Sequence, residues 1–78
     1  MTTLSDLKIG ERARVVSVDG ADDVSLRLLE MGLTPGVDVR LLGVAPLGDP
    51  AEFELRGYRL SLRRTEMAKV VVQLAGRT

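Results

Sequence analysis

Only one segment of this 78-residue chain has both the length and the apolar spacing of a multi-turn α-helix. It begins after Asp22 and ends at Met31, with Val24, Leu28 and Met31 at spacings of four and three. The other apolar runs are short, and they are either rich in Val or alternate with polar residues, as β-strands do. A parallel α/β sheet needs a helix at each crossover, so the sequence predicts a mainly β fold of antiparallel strands.

Five strands are predicted, separated by residues that favour turns. The first is Arg12 to Val18, which we expect to be buried on both sides because it is rich in Val. The second is Val37 to Val44, the third and fourth form a hairpin around Gly57, and the last is Val70 to Leu74. Closing such a sheet into a small five-stranded barrel removes its exposed edges. The predicted barrel core is Val39, Leu41, Phe53, Leu55, Leu60, Leu62, Val70 and Val72.

The ends of the helix are marked in the sequence. Asp22 or Asp23 can accept a hydrogen bond from the free N–H groups of the first turn. Gly32 can adopt the left-handed conformation that ends a helix, and Leu33 can then pack back on Leu28. The residues that follow, Thr34-Pro35-Gly36-Val37, fit a type II turn. The inserted helix should therefore be short and firmly bounded.

Two further segments are predicted to be single helical turns. Leu4 and Leu7 suit one turn near the N-terminus, capped by Ser5 and covering the core. Thr65 to Ala68 suits another turn before the last strand. Residues 1–78 are predicted to form a single domain, since the chain is about half the usual domain length.

Composition excludes several classes of function. The chain has no Cys and no His, so it lacks thiolate and imidazole groups for catalysis or metal binding. It has no glycine-rich phosphate loop, and we predict that it is not an enzyme and needs no cofactor. Eleven basic residues balance eleven acidic ones, which argues against nucleic acid binding. No apolar run approaches a membrane span and no leader pattern is seen, so we expect a cytoplasmic protein without membrane insertion.

Four motifs follow one another along nearly the whole chain. They are LSDLKIGERARVV near the start, RLLEMGLTPGVDV from Arg27, APLGDPAEFELRGYRLSLRR from Ala45, and the closing AKVVV. In this order they resemble the FeoA family, small cytosolic accessory proteins of bacterial ferrous iron uptake. The resemblance implies an SH3-like barrel with a helix between its first two strands. It also implies a role beside the membrane GTPase FeoB, which places the protein at the inner membrane through its partner.

The helix offers the first candidate for a partner-binding surface. At about 100° per residue, Leu26 and Leu29 project away from the stripe that contains Val24. They either pack on the N-terminal turn or contact another protein. With Arg27 and Glu30 beside them, they would form an apolar centre with a charged rim, which suits docking.

A cluster of arginines offers the second candidate. Arg56, Arg59, Arg63 and Arg64 lie within nine residues of one another. One interpretation is a solvated strand face whose charges pair with Glu52, Glu54 and Glu66. The other is a docking patch, formed by Arg56, Arg59 and Arg63, for an acidic partner surface or phosphate, to which guanidinium groups bind well.

A metal site is the weakest candidate. Asp19, Asp22 and Asp23 lie in one loop, but helix capping explains them, and the loop lacks the ligand spacing of an EF-hand. Carboxylates alone would hold Fe(II) loosely and with little preference over Mg²⁺. We therefore predict no metal site, and a protein that serves iron transport by contact.

Three binding functions are compatible with a small SH3-like barrel. The preferred one is docking on FeoB to modulate its transport or its GTPase. The alternative is a regulatory module acting with an iron-dependent repressor, because similar barrels occur in repressors of the diphtheria toxin repressor type. Recognition of Pro-rich peptides is disfavoured, since Phe53 and Tyr58 are too few to line an aromatic groove. The sequence leaves the oligomeric state open.

Overall fold

The short alternating runs form a five-stranded antiparallel sheet in the computed structural model, which describes residues 2–75. The strands are β1 (Arg12–Val18), β2 (Asp38–Val44), β3 (Ala51–Leu55), β4 (Tyr58–Leu62) and β5 (Val70–Leu74). The order across the sheet is β4-β3-β2-β1-β5. This confirms the prediction of a mainly β fold built from antiparallel strands.

Two helices interrupt the strands, as predicted. Helix α1 (Asp23–Glu30) lies between β1 and β2, and the four-residue helix α2 (Arg64–Met67) lies between β4 and β5. A 3₁₀ turn, Leu4–Asp6, precedes β1. Its cap is not Ser5, because the turn begins one residue earlier and contains Ser5. Instead the N–H of Thr3 donates to the Asp6 carboxylate at 2.9 Å.

The core lies on the inner side of the curved sheet. Seven of the eight predicted core residues are buried, Phe53 completely, and Leu60 is half-buried against them. The N-terminal segment is part of the core and does not only cover it, since Leu4 and Leu7 are both buried in the same cluster. The additional buried apolar residues are Leu4, Leu7, Ala13, Val15, Leu28, Leu33, Val37, Ala51 and Met67.

Strand β1 is buried on one side only, which corrects the prediction of burial on both. Ala13 and Val15 face the core, whereas Val16 is 50% exposed. The pairing with β5 shifts between Val15 and Ser17, so the alternation of β1 is interrupted there. The Val-rich composition of this strand reflects its β propensity and not a second buried face.

The two edge strands of the sheet, β4 and β5, are each linked to a different end of the segment that contains α1. Among the described residues, no hydrogen-bonded ladder joins β4 to β5. The N–H of Asp19, which follows β1, donates to the carbonyl of Lys69, which precedes β5, at 2.6 Å. At the other end of α1, the Tyr58 hydroxyl of β4 donates to the Met31 carbonyl. Helix α1 is thus fixed near both edges.

Candidate partner-binding surfaces

Helix α1 is held in place at both ends by the residues that the sequence marked. The Asp22 carboxylate accepts from the N–H of Ser25 at 2.9 Å, and the Ser25 hydroxyl donates to the Asp19 carbonyl at 2.6 Å. At the other end, Gly32 has a φ of 106°, and the N–H of Leu33 donates to the Leu28 carbonyl at 3.2 Å. This is the predicted Schellman ending.

Only one side of α1 contacts the core. Leu28 is completely buried, and Val24 and Met31 are half-buried against the core cluster. Leu26, two residues before Leu28, is 56% exposed, which confirms that it projects away from the core. Leu29 is half-buried at the flank of the helix.

We call Leu26, Arg27, Leu29 and Glu30 the α1 surface. Arg27 and Glu30 are exposed beside Leu26, as expected for a charged rim. The alternative partner for Leu26, the N-terminal turn, does not cover it, because both leucines of that turn are buried in the core. The result is an apolar centre with charged neighbours on a helix whose ends are fixed.

A groove of about 700 Å³ begins beside the α1 surface. Arg27 and Arg63 both line it, and Glu66 lies between them. The Glu66 carboxylate is 3.5 Å from the Arg27 guanidinium and accepts from the N–H of Arg63 at 2.8 Å. Arg27 of the α1 surface and Arg63 of the predicted arginine patch therefore lie at the same groove. Its other lining residues are Met31, Asp49, Pro50 and Ser61.

The arginines of the second candidate do not form one patch. Arg56 is not on a strand as predicted, because it forms the β3–β4 turn with Gly57, both with positive φ. Arg59 lies on β4, with its guanidinium 4.0 Å from the Glu52 carboxylate. Arg63 lies at the groove beside α1, and the N–H of Arg64 donates to Asp49. Within residues 2–75 the structure therefore places Arg56 apart from Arg63.

Arg12 and Arg40 are neighbours of Arg56 that the sequence did not single out. All three line one concavity on the outer side of the sheet. Alternation along β1 and β2 places both strand arginines outward, but their closeness depends on how the two strands pair. A pairing of residues so far apart in the chain leaves no local sequence signal.

The aspartates of the β1–α1 loop stabilise the helix end. The largest influence on the pKa of Asp22 is the hydrogen bond from the Ser25 N–H. Together with the Ser25 side chain and the nearby Lys69 ammonium, it lowers this pKa from 3.8 to about 2. The Lys69 ammonium is 3.1 Å from the Asp22 carboxylate. In the described part of the chain, no three acidic residues are close enough to hold a metal ion. The loop geometry is that of a helix cap.

The fold and the exposed α1 surface define a class of small SH3-like β domains that present an inserted helix. The sequence matches the FeoA domain over residues 2–74, and the chain belongs to the FeoA family.

The relatives agree with this assignment. FeoA of Chlorobium tepidum is 40% identical with a TM-score of 0.88, and the match covers 96% of this chain and 71% of that one. FeoA of Stenotrophomonas maltophilia, a prokaryotic SH3 domain protein crystallised with zinc, is 34% identical with a TM-score of 0.84. That match covers 94% of this chain and 91% of that one.

A third relative is much longer than this chain. It is the Fe(2+) transport protein A/Fe(2+) transporter FeoB fusion protein of Porphyromonas gingivalis, 39% identical over 71 residues. The match covers 91% of this chain but only 8% of the relative. The repressor ScaR shares the fold at 22% identity, with a TM-score of 0.78.

The Stenotrophomonas protein is complexed with zinc. Protein zinc sites are built mainly from Cys and His, and this chain contains neither. Within residues 2–75 no cluster of carboxylates replaces them. The residues of this chain do not fit a resident zinc ion. In the same residues, no helix is long and apolar enough to cross a membrane.

Proposed function

We propose that this chain is a binding domain of ferrous iron uptake that docks on the cytosolic region of a FeoB transporter through the α1 surface. The observation that carries the proposal is the exposure of Leu26, 56%, on a helix whose opposite side is sealed against the core. An exposed leucine contributes little to the fold, whereas at the centre of an interface it is buried by the partner.

The structure of α1 favours binding by a preformed surface. Both helix ends are capped, and the Tyr58 hydroxyl fixes the last turn to β4. Little ordering of the backbone would be needed on binding, so more of the interaction free energy contributes to affinity. Arg27 and Glu30 would exclude water from the rim and orient the partner.

The identity of the partner is supported by the fused relative. In the Porphyromonas protein a segment similar to this chain is part of the same polypeptide as FeoB. Association that is covalent in one protein is consistent with non-covalent docking in another. The docked domain would act on transport, or on the GTPase, by contact. A catalytic role is disfavoured because the chain lacks Cys, His and a phosphate-binding loop.

The test is co-purification of the full chain with full-length FeoB from detergent-solubilised membranes. We expect Leu26→Ser to reduce the affinity for FeoB by at least about tenfold, because apolar residues at interface centres dominate binding. Adding Leu29→Ser should weaken binding further. Leu47→Ser is the matched control, since Leu47 is 91% exposed and lies in the loop after β2.

Melting temperature separates docking from folding. Leu26→Ser should shift it by no more than a few degrees, because an exposed side chain contributes little to stability. Unchanged affinity of a folded Leu26→Ser variant would contradict the proposal. Retention of the protein by an iron-dependent repressor, and not by FeoB, would favour the alternative of a regulatory module, which the ScaR fold supports only as architecture.

A further inference from the structure

Three arginines from distant parts of the chain line a concavity of about 330 Å³ on the outer side of the sheet. Arg12 comes from β1, Arg40 from β2, and Arg56 from the β3–β4 turn. All three are exposed. We call them the arginine concavity. It lies outside the α1 surface and shares no lining residue with the groove beside it.

The pairing of β1 with β2 places two of these charges face to face. Arg12 is the direct cross-strand partner of Arg40. Residues opposite each other in an antiparallel pair have Cβ atoms about 4.5–5.5 Å apart, and like charges there destabilise the sheet. The fold therefore gains nothing from this pair of arginines.

The acidic residues nearby are too few to neutralise the cluster. The Asp38 carboxylate, which also lines the concavity, is 3.3 Å from the guanidinium of Arg14. Glu54 is the remaining acid in the lining, and it is the direct cross-strand partner of Arg40 on β3. Across residues 2–75, no ion pair engages Arg12, Arg40 or Arg56 at 4.0 Å or less. The concavity thus carries excess positive charge in a chain that is neutral as a whole.

The third arginine occupies a position that other residues prefer. Arg56 has a φ of 51° and precedes Gly57 in a two-residue turn, where Asn, Asp or Gly is favoured at the first place. A long cationic side chain therefore stands where the backbone conformation favours other residues.

The shape of the site is elongated. A second concavity, of about 400 Å³, adjoins the first and shares Asp38 and Arg56 with it. It is lined further by the backbone turn at Pro35, Gly36 and Val37. The two concavities together suit an extended segment of chain better than a compact ion.

We propose that the arginine concavity binds an extended acidic segment of a partner protein, with separated carboxylates on Arg12, Arg40 and Arg56. Guanidinium groups pair with carboxylates through charge-assisted hydrogen bonds. A nucleic acid strand fits less well, because it would find no aromatic residue in the lining on which to stack its bases.

The test uses the full chain and a fluorescein-labelled synthetic peptide of alternating Glu and Gly, followed by fluorescence anisotropy. We expect binding that weakens as salt is raised, and no binding of the matching Gln-Gly peptide. The double variant R12Q/R40Q should lose about tenfold or more in affinity, as expected when charge-assisted hydrogen bonds are removed. The matched control is K8Q/R64Q, which removes two exposed charges outside the concavity.

The melting temperature provides a second measurement, which distinguishes a binding role of these arginines from a structural role. Since Arg12 faces Arg40 across the strand pair, the single variant R12Q should have a melting temperature equal to or above that of the unchanged protein. Absence of Glu-Gly peptide binding, equal binding by R12Q/R40Q, or tighter binding of single-stranded DNA or inorganic phosphate would each overturn the proposal. None of these results depends on FeoB. The proposal for the arginine concavity can therefore be refuted without affecting the proposal of docking through the α1 surface.

Discussion

On one helix or strand, the side chains that face the core and those that face outward are subject to different physical constraints. On α1, Leu28 is completely buried and Leu26 is mostly exposed, although they are two positions apart. On β2, Val39 is buried between Asp38 and Arg40, which are exposed. Inner residues are fixed by packing, since each contacts a shared core.

Outer residues are not required by the fold in this way, and one outer feature even opposes it. A mostly exposed leucine on α1 gains little from folding, and facing arginines on β1 and β2 destabilise the sheet. We infer from this comparison that the residues on the outer side are the ones to examine for partner binding. The comparison also predicts that substitutions on the two sides have effects of different size and sign.

The largest effect is expected inside. Phe53 is completely buried on β3, so Phe53→Ala should lower the free energy of unfolding by about 3–5 kcal/mol. This approaches the whole stability of a domain of this size. Urea denaturation followed by circular dichroism measures it, with Glu54→Ala, one position along the strand and exposed, as control. A loss below about 1 kcal/mol would contradict the assignment of Phe53 to the core.

A smaller effect of opposite sign is expected outside. Arg56→Asn places a residue that tolerates positive φ before Gly57, so the free energy of unfolding should rise by about 0.5–1 kcal/mol. The same variant should bind the acidic peptide more weakly, because it removes one of the three guanidinium groups. Arg59→Asn, on β4, is the control and should lower stability, since Asn is disfavoured in strands. A less stable Arg56→Asn protein would show that the turn is not strained.

The smallest effect is expected at the cap of α1, and it is lost in acid. The Ser25 N–H lowers the pKa of Asp22 to about 2, so its ionised form is favoured by folding. That contribution is complete above about pH 4 and is lost as the pH falls towards 2. Asn also caps helices, so Asp22→Asn removes the charge and keeps the cap.

The measurement for this cap is the melting temperature as a function of pH. Asp22→Asn should be less stable than the unchanged protein at neutral pH, and the difference should disappear near pH 2. Asp23→Asn is the control on the adjacent residue. A difference that stays constant with pH would mean that the Asp22 charge does not contribute.

Local patterns in the sequence were sufficient to predict most of the fold. The bounds of β1 and β5, the ends of α1 and the turn before β2 all follow from features within a few residues. For example, Gly36 has a φ of 92° and the N–H of Val37 donates to the Thr34 carbonyl, as in the predicted type II turn. The exposure of Leu26 followed from helical spacing alone.

The wrong predictions depend on how distant parts of the chain lie relative to one another. Val16 alternates with the inward-facing Val15 and lies on the outer side of the sheet, which no other element covers enough to bury it, and nothing in RARVVSV marks this. The assumption of one arginine patch failed because Arg56 starts a turn and Arg63 ends at the groove beside α1. The closeness of Arg12 to Arg40 follows from the register of β1 and β2, which is set by the whole sheet.

The two attachments of α1 have a mechanical consequence. The start of the helix is linked to Lys69 just before β5, and its end is linked to Tyr58 at the start of β4. In residues 2–75 no hydrogen-bonded ladder joins the edge strands β4 and β5. Helix α1 is therefore a bridge between these two edges of the sheet. Force applied to α1 by a bound protein would therefore reach both edges at once. Displacement of the helix would break both links.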